Sequence, residues 1–138
     1  MIGVEQLFGY RFPNESWPIA KVRDNISEIA DRFCLTVEAW NEDGLGEVLG
    51  IVLKLPSKRV FMLIDYKAYN EAHGLAHSPL ELFFDVGDVA ALGVRPLLNE
   101  ALDFLNLSGD ALVWVAPEAS RDDAANLLRH AENLHSRR

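Results

Sequence analysis

The chain has little cysteine and no long apolar runs, and each shortage excludes a class of structure. Of its 138 residues only Cys34 is a cysteine, so no disulfide can form within the chain. Its longest apolar runs are broken within a few residues by Lys54, Asp65 or a glycine, far short of the roughly 20 residues that a transmembrane helix needs. The opening residues lack the basic start and apolar stretch of a signal peptide. We therefore expect a cytoplasmic protein.

Basic residues are also scarce. There are 13 Lys and Arg against 21 Asp and Glu, which gives a net charge of -8. Nucleic acids and anionic membranes are bound by clustered Lys and Arg, so neither is an expected partner. The acids are unevenly placed, because Glu38, Glu42, Asp43 and Glu47 fall within ten residues with no base between them. This distribution favours a basic protein as the partner.

A metal site has one candidate pair of ligands. His73 and His77 stand four residues apart, which would place both imidazoles on one side of a helix. A third ligand such as Glu71 or Asp85 would be needed, and Gly74 and Pro79 disfavour a helix here. A solvated loop is the simpler interpretation, so we expect no metal.

Other catalytic patterns are also better explained by structure. The glycines of residues 44–50 have the wrong spacing for a dinucleotide loop and lead into a strand. Cys34 has no histidine nearby in sequence to activate it, which predicts a small buried side chain. Asp85 and Asp88 flank a strand end, yet no second polar cluster accompanies them. We therefore expect no cofactor and no enzymatic activity.

The most regular pattern is a hairpin over residues 48–66. Two runs that are apolar on both faces meet across the polar turn PSKR, and such strands belong in the middle of a covered sheet. Alternation predicts further strands over residues 34–40 and 80–86, and a short buried strand containing Trp114 over residues 111–116.

Helical spacing of apolar residues predicts three helices. They cover residues 18–33, about 89–107 and 121–136, while residues 1–15 suggest a short helical turn and residues 67–79 a loop. The predicted order is α-β-β-β-β-α-β-α. The sequence thus predicts a single α+β domain over residues 1–138, with a mainly antiparallel sheet of four to five strands packed with about three helices.

Trp40 is the candidate centre of a binding surface. It shares a predicted strand face with Glu38 and adjoins an acidic turn, and aromatic anchors ringed by polar groups are typical of interface centres. Folding of this side chain over the sheet edge is the alternative. The predicted partner-binding residues are Glu38, Trp40, Glu42, Asp43, Glu47, Glu81, Asp85 and Asp88.

As a small, acidic chain without catalytic motifs and with Trp40 beside the turn EDGLGE, the sequence resembles the immunity proteins of bacterial toxin systems, such as contact-dependent growth inhibition. The resemblance is one of overall type and contains no signature motif. It implies a cognate toxin as partner and no catalytic residues. A basic, nuclease-like toxin would present a cationic cleft that acidic side chains match.

A second class fits some of the same features. Homodimeric secretion chaperones of the type III class are also small and acidic, and their order of helix, three strands, helix, strand, helix is similar to the predicted one. The strand over residues 80–86 departs from that order. A small ligand-binding or catalytic α+β domain is a third possibility, and the sequence leaves monomer and homodimer open.

Overall fold

The computed structural model of the chain describes residues 3–75 and 78–117. These residues form an α+β fold with one seven-stranded antiparallel sheet. The strands are β1 (Glu5–Leu7), β2 (Ser16–Val22), β3 (Glu38–Glu42), β4 (Gly46–Lys54), β5 (Val60–Asp65), β6 (Leu80–Asp85) and β7 (Leu112–Val115). The helices are α1 (Ile26–Phe33), α2 (Lys67–Ala72), α3 (Val86–Leu92) and α4 (Val94–Leu105), and a 3-10 turn (Gly109–Ala111) precedes β7.

The predicted hairpin lies in the middle of this sheet, which confirms that prediction. β4 and β5 pair in antiparallel register from Leu49 opposite Asp65 to Lys54 opposite Val60. Their turn is closed by Lys58, which adopts a left-handed conformation with φ 75°. β6 then pairs with β5, so the hairpin is flanked by partners on both sides.

Two short strands share the outer edge of β4. β1 pairs with its end, from Val52 to Lys54, and β3 pairs with its beginning, from Gly46 to Gly50. The strand order across the sheet is β1-β4-β5-β6-β2-β7, with β3 also on β4. Because β3 carries Trp40, this arrangement fixes that side chain against the sheet.

The two faces of the sheet are covered differently. On the first face, alternate strand residues such as Ile51, Phe61 and Leu82 pack against α1, α3 and α4 in the main core. Their neighbours along the strands point to the second face. A smaller cluster there consists of Val48, Ile64 and Phe83, with Phe12, Trp40, Met62 and Tyr66 packed against them. All of these residues come from strands and loops, so we call this surface the strand face.

The predicted helix over residues 18–33 is wrong in its first half. Residues from Ser16 to Val22 form β2, which pairs with both β6 and β7. The helix begins only after Asn25, whose side chain accepts hydrogen bonds from the backbone N–H of Ser27 at 2.9 Å and of Glu28 at 3.2 Å. Ile and Val at three-residue spacing suit either structure, and pairing with two neighbouring strands decides for the strand.

Several smaller predictions also need correction. The N-terminal segment contains β1 rather than a helical turn, and the expected loop over residues 67–79 begins with α2. Cys34 is exposed, because it ends α1 in the left-handed conformation with φ 56° instead of beginning a strand. Trp114, expected in the core, is 41% exposed on β7 at the sheet edge.

The element order differs accordingly. Over the described residues it is β-β-α-β-β-β-α-β-α-α-β, with seven strands where four to five were predicted. The extra strands are β1 and β2. The helices also differ, because α2 is additional and the helix predicted over about 89–107 is divided into α3 and α4 at Gly93. The predicted last helix over residues 121–136 lies outside the described residues. Within residues 3–75 and 78–117, no helix is long and apolar enough to cross a membrane.

Candidate protein-binding face

A cavity of about 560 Å³ opens on the strand face, and we call it the Trp40 cavity. Its apolar lining comes from adjacent strands: Val52 of β4, Met62 and Ile64 of β5 and Phe83 of β6. In the register of the sheet, Met62 lies opposite both Val52 and Phe83, so their side chains share one face. The central hairpin therefore supplies much of the apolar surface of this site.

Trp40 forms one wall of the cavity and is held at both ends. Its ring lies over Gly50 of the neighbouring strand, where an added Cβ would stand 2.5 Å from the indole Cη2. Its Nε1–H donates a hydrogen bond to Glu42 Oε1 at 2.9 Å. The side chain does fold over the sheet, as the alternative interpretation held, yet it still lines the open cavity.

Carboxylates line the cavity beside this aromatic wall. Glu38 and Glu42 both contribute to it from β3. Glu38 Oε2 accepts a hydrogen bond from the backbone N–H of Gly9 at 3.1 Å, which joins the N-terminal segment to the wall. Arg11, from that segment, supplies a basic group to the lining.

Tyr66 completes the wall on the far side of the cavity. Burial raises its pKa to about 12, together with the negative charges of Glu81 and Glu42 and a hydrogen bond from its hydroxyl group to Glu81. A tyrosine loses its proton less readily where the local potential is negative. Burial is the largest cause of this shift, and the charges of Glu81 and Glu42 act in the same direction.

Tyr10, from the N-terminal segment between β1 and β2, also lines the Trp40 cavity. Its ring packs edge to face on Phe12, with ring centroids 5.2 Å apart. Burial raises the pKa of Tyr10, and the charges of Asp85 and Asp88 raise it further. Carboxylates thus act on Tyr10 as well as on Tyr66, although burial is the largest cause of both shifts.

The structure places the predicted site residues in different surroundings. Glu38, Trp40 and Glu42 come together in the Trp40 cavity. Asp43 is exposed in the turn between β3 and β4, next to them in the chain. Glu47 is exposed but forms an ion pair with Lys67 at 2.6 Å, so part of its charge is neutralised.

Glu81, Asp85 and Asp88 are farther along β6 and α3. Glu81 is half-buried on the strand face and pairs with Lys21 at 3.5 Å. Asp85 is buried and caps α3, since its carboxylate accepts hydrogen bonds from Gly87 N at 2.7 Å, Asn14 Nδ2 at 2.8 Å and Asn14 N at 3.1 Å.

Asp88 is half-buried and lines, with Asp85, a separate cavity of about 300 Å³. Burial raises the pKa of Asp88, as does the Asp85 charge, while Arg59 acts in the opposite direction. This pair lies outside the lining of the Trp40 cavity.

Sequence reasoning missed the aromatic residues opposite Trp40. Tyr66, Phe83 and Tyr10 line the cavity although none was predicted as a site residue. A signal was present for Phe83, because it alternates with the core residues Leu82 and Phe84 and so points to the face that the helices of the main core do not cover. The position of Tyr10 follows from the folding of the N-terminal segment across the sheet, which residue patterns do not encode.

Of the two histidines considered as metal ligands, the structure describes only His73. His73 stacks on Tyr69, with ring centroids 4.0 Å apart, and its Nδ1 is 2.9 Å from the Tyr69 carbonyl oxygen. His77 lies outside the described residues. Among residues 3–75 and 78–117, no three His, Cys, Asp or Glu side chains are grouped to hold a metal ion.

Comparison with known proteins found no matching family, no similar curated protein and no similar solved structure.

Proposed function

We propose that the chain is an acidic binding protein that docks on a basic protein partner, and that the partner is a toxin which it neutralises, as in bacterial immunity systems. The observation that carries the proposal is the Trp40 cavity, where aromatic walls, an apolar lining and glutamates meet on one face of the sheet. Apolar centres rimmed by charge are where binding energy concentrates in protein interfaces.

The charge on this face favours a cationic partner. Glu38 and Glu42 line the cavity, Asp43 is exposed next to Glu42 in the chain, and Glu81 adjoins the Tyr66 wall. Lys and Arg side chains of a partner could pair with these carboxylates and also stack on the indole, because cations are attracted to the face of tryptophan. Such complementarity speeds association and selects against acidic partners.

The mode of neutralisation follows from the same charge. A nuclease-like toxin needs its cationic cleft to hold phosphate groups. An acidic protein bound over that cleft would exclude the nucleic acid by occupying the same basic side chains. No catalytic group is required of an inhibitor that acts in this way.

The secretion-chaperone alternative loses its main argument. It rested on an element order beginning with a helix, whereas β1 and β2 precede α1 in the structure. Neutralisation of a basic protein remains the function that the strand face supports best.

The direct test is co-purification of the chain with the product of the neighbouring reading frame, followed by a measurement of Kd. We expect a stoichiometric complex with a basic protein, and Trp40→Ala should weaken it at least tenfold. Leu92→Ala is the matched control, because it removes an exposed apolar side chain of α3. Full affinity of the Trp40→Ala variant, verified as folded by circular dichroism, would contradict the proposal.

A further inference from the structure

A second cavity of about 450 Å³ adjoins the Trp40 cavity, and we call it the Tyr69 cavity. The two cavities share Tyr66, which lines both of them. Lys21 and Glu81 contribute from β2 and β6, while Tyr69 contributes from α2. The strand face therefore carries two neighbouring cavities, and the side chain of Tyr66 contributes to both.

The Tyr69 cavity has a different chemistry from its neighbour. Leu45, in the turn before β4, and Tyr69 are 40% and 49% exposed and lie on its lining together with Pro79. A single exposed apolar side chain is ordinary, but several grouped around one recess indicate a surface that another molecule covers. Two charged residues also line it, Lys21 and Glu81, and their opposite charges form an ion pair.

The Trp40 cavity, in contrast, is lined by two carboxylates and one basic group, Arg11, which leaves an excess of negative charge. Glu38 and Glu42 lie beside the Trp40 indole, so a guanidinium or ammonium group there gains both charge pairing and stacking. One recess thus suits a cation and the adjacent one an apolar side chain.

We propose that the two recesses together bind one extended segment of the basic protein partner, with a Lys or Arg side chain in the Trp40 cavity and an apolar side chain in the Tyr69 cavity. Cavities of this volume are roughly 10 Å across, about the length of three residues in extended conformation. We therefore expect the two anchoring side chains to be about two to four residues apart. This inference rests on the proposed function and makes it more specific, since a short segment rather than a broad surface carries the recognition.

The test uses random linear peptides displayed on phage and selected against the full chain. We expect enrichment of peptides in which a basic and an apolar residue stand two to four positions apart. For a synthetic peptide of the enriched sequence, replacing Arg by citrulline or the apolar residue by Ala should each raise Kd at least tenfold. Selection of no peptide, or of peptides without this pairing, would overturn the inference.

Variants of the chain test each recess separately. Tyr69→Ala and Trp40→Phe should each weaken binding of the selected peptide, the first by about tenfold and the second by less, because Phe keeps part of the aromatic wall. Leu92→Ala, on α3, should leave its Kd unchanged. A peptide Kd that is insensitive to Tyr69→Ala would show that the Tyr69 cavity is not part of the site.

The same variant separates this inference from the proposed function. If a basic partner co-purifies and Tyr69→Ala leaves its Kd unchanged, the partner does not place a segment in both cavities. The proposed binding of a basic toxin would then still be supported. If the peptides bind as expected and no basic partner is found, the proposed function fails and the segment site remains. Loss of partner binding in Tyr69→Ala, with Leu92→Ala unaffected, would support both.

Discussion

The indole of Trp40 occupies the space that a side chain at residue 50 would fill. A Cβ on Gly50 would stand 2.5 Å from Cη2 and 2.8 Å from Cζ3 of the ring, and 3.1 Å from the Ile64 side chain. Glycine at this point of β4 therefore allows the aromatic ring to lie against the sheet. The position of the Trp40 wall depends on this missing side chain.

Gly50→Ala should therefore move the indole and destabilise the fold by about 1 to 3 kcal/mol, the usual effect of overfilling a packed site. Urea unfolding measures this free energy. Gly109→Ala is the control, since nothing lies within 4 Å of an added Cβ there. If steric conflict is the cause, Gly50→Ala should cost less in a Trp40→Ala background. Equal costs in the two backgrounds would disprove the contact.

Reversing charge beside the cavity should slow association with the basic partner. Glu42 and Asp43 are both exposed, so Glu42→Lys with Asp43→Lys should leave the fold intact. Because Glu42→Lys also removes the acceptor of the Trp40 Nε1–H, Glu42→Gln is measured beside it to isolate the effect of charge. We expect a roughly tenfold lower association rate at low salt, with a smaller change in the dissociation rate. The difference should shrink as salt is added, because the screening length falls from about 10 Å at 0.1 M to about 3 Å at 1 M. Stopped-flow mixing measures both rates.

A matched control has the same change in charge on the opposite side of the sheet. Asp31 and Asp103 are exposed in the last turns of α1 and α4, where a positive charge is favourable to the helix. Asp31→Lys with Asp103→Lys should change the association rate much less than the first pair does. Equal slowing by both pairs would show that net charge, rather than the strand face, governs docking.

Asp85 should matter for stability more than for binding. Asp85→Ala removes the cap of α3 and leaves the donors of Asn14 and Gly87 without their acceptor, at a cost of about 1 to 3 kcal/mol. Asp88→Ala keeps the cap and should cost less. Urea unfolding measures the free energy of unfolding of both variants. Under conditions in which both are folded, we expect Asp85→Ala to leave the Kd for the partner unchanged. A weaker complex without a loss of stability would place Asp85 in the interface.

The central part of the fold could be predicted because its sequence signals are local. The hairpin of β4 and β5 has two apolar strands around a short polar turn, and β6 has an alternating pattern in which Leu80, Leu82 and Phe84 share one face. β2 could not be predicted in this way. Its Ile19 and Val22 fit a helical stripe as well as a strand, and the choice depends on pairing with β6 and β7, which lie far along the chain.

The site was predictable to a similar extent. Trp40 and its acidic neighbours are close in sequence, so their proximity in β3 and its turn follows from the chain itself. The opposing wall requires Tyr66 and Phe83 to lie across from them, which depends on the register of β4, β5 and β6. The role of Gly50 was likewise hidden, because only the folded sheet brings the indole over it.

Tyr66 provides a test of the negative potential on the strand face. Its pKa is raised from 10.0 to about 12 by burial, by the charges of Glu81 and Glu42 and by a hydrogen bond to Glu81. The folded protein therefore holds this proton more tightly than the unfolded chain does. It follows that the contribution of Tyr66 to stability is complete below pH 10 and is lost as pH rises from 10 to about 12.

Site-resolved NMR of labelled tyrosine rings would follow this titration, with Tyr66→Phe to assign the signal. Glu81→Gln should lower the pKa of Tyr66 towards 10, because it removes the larger of the two neighbouring charge effects while keeping a hydrogen-bond acceptor. Glu42→Gln should lower it less. Glu28→Gln, on the exposed side of α1, is the control and should not change it. A Tyr66 titration unaffected by both Glu81→Gln and Glu42→Gln would mean that burial alone holds the proton, and the electrostatic basis for a cationic partner would then be lost.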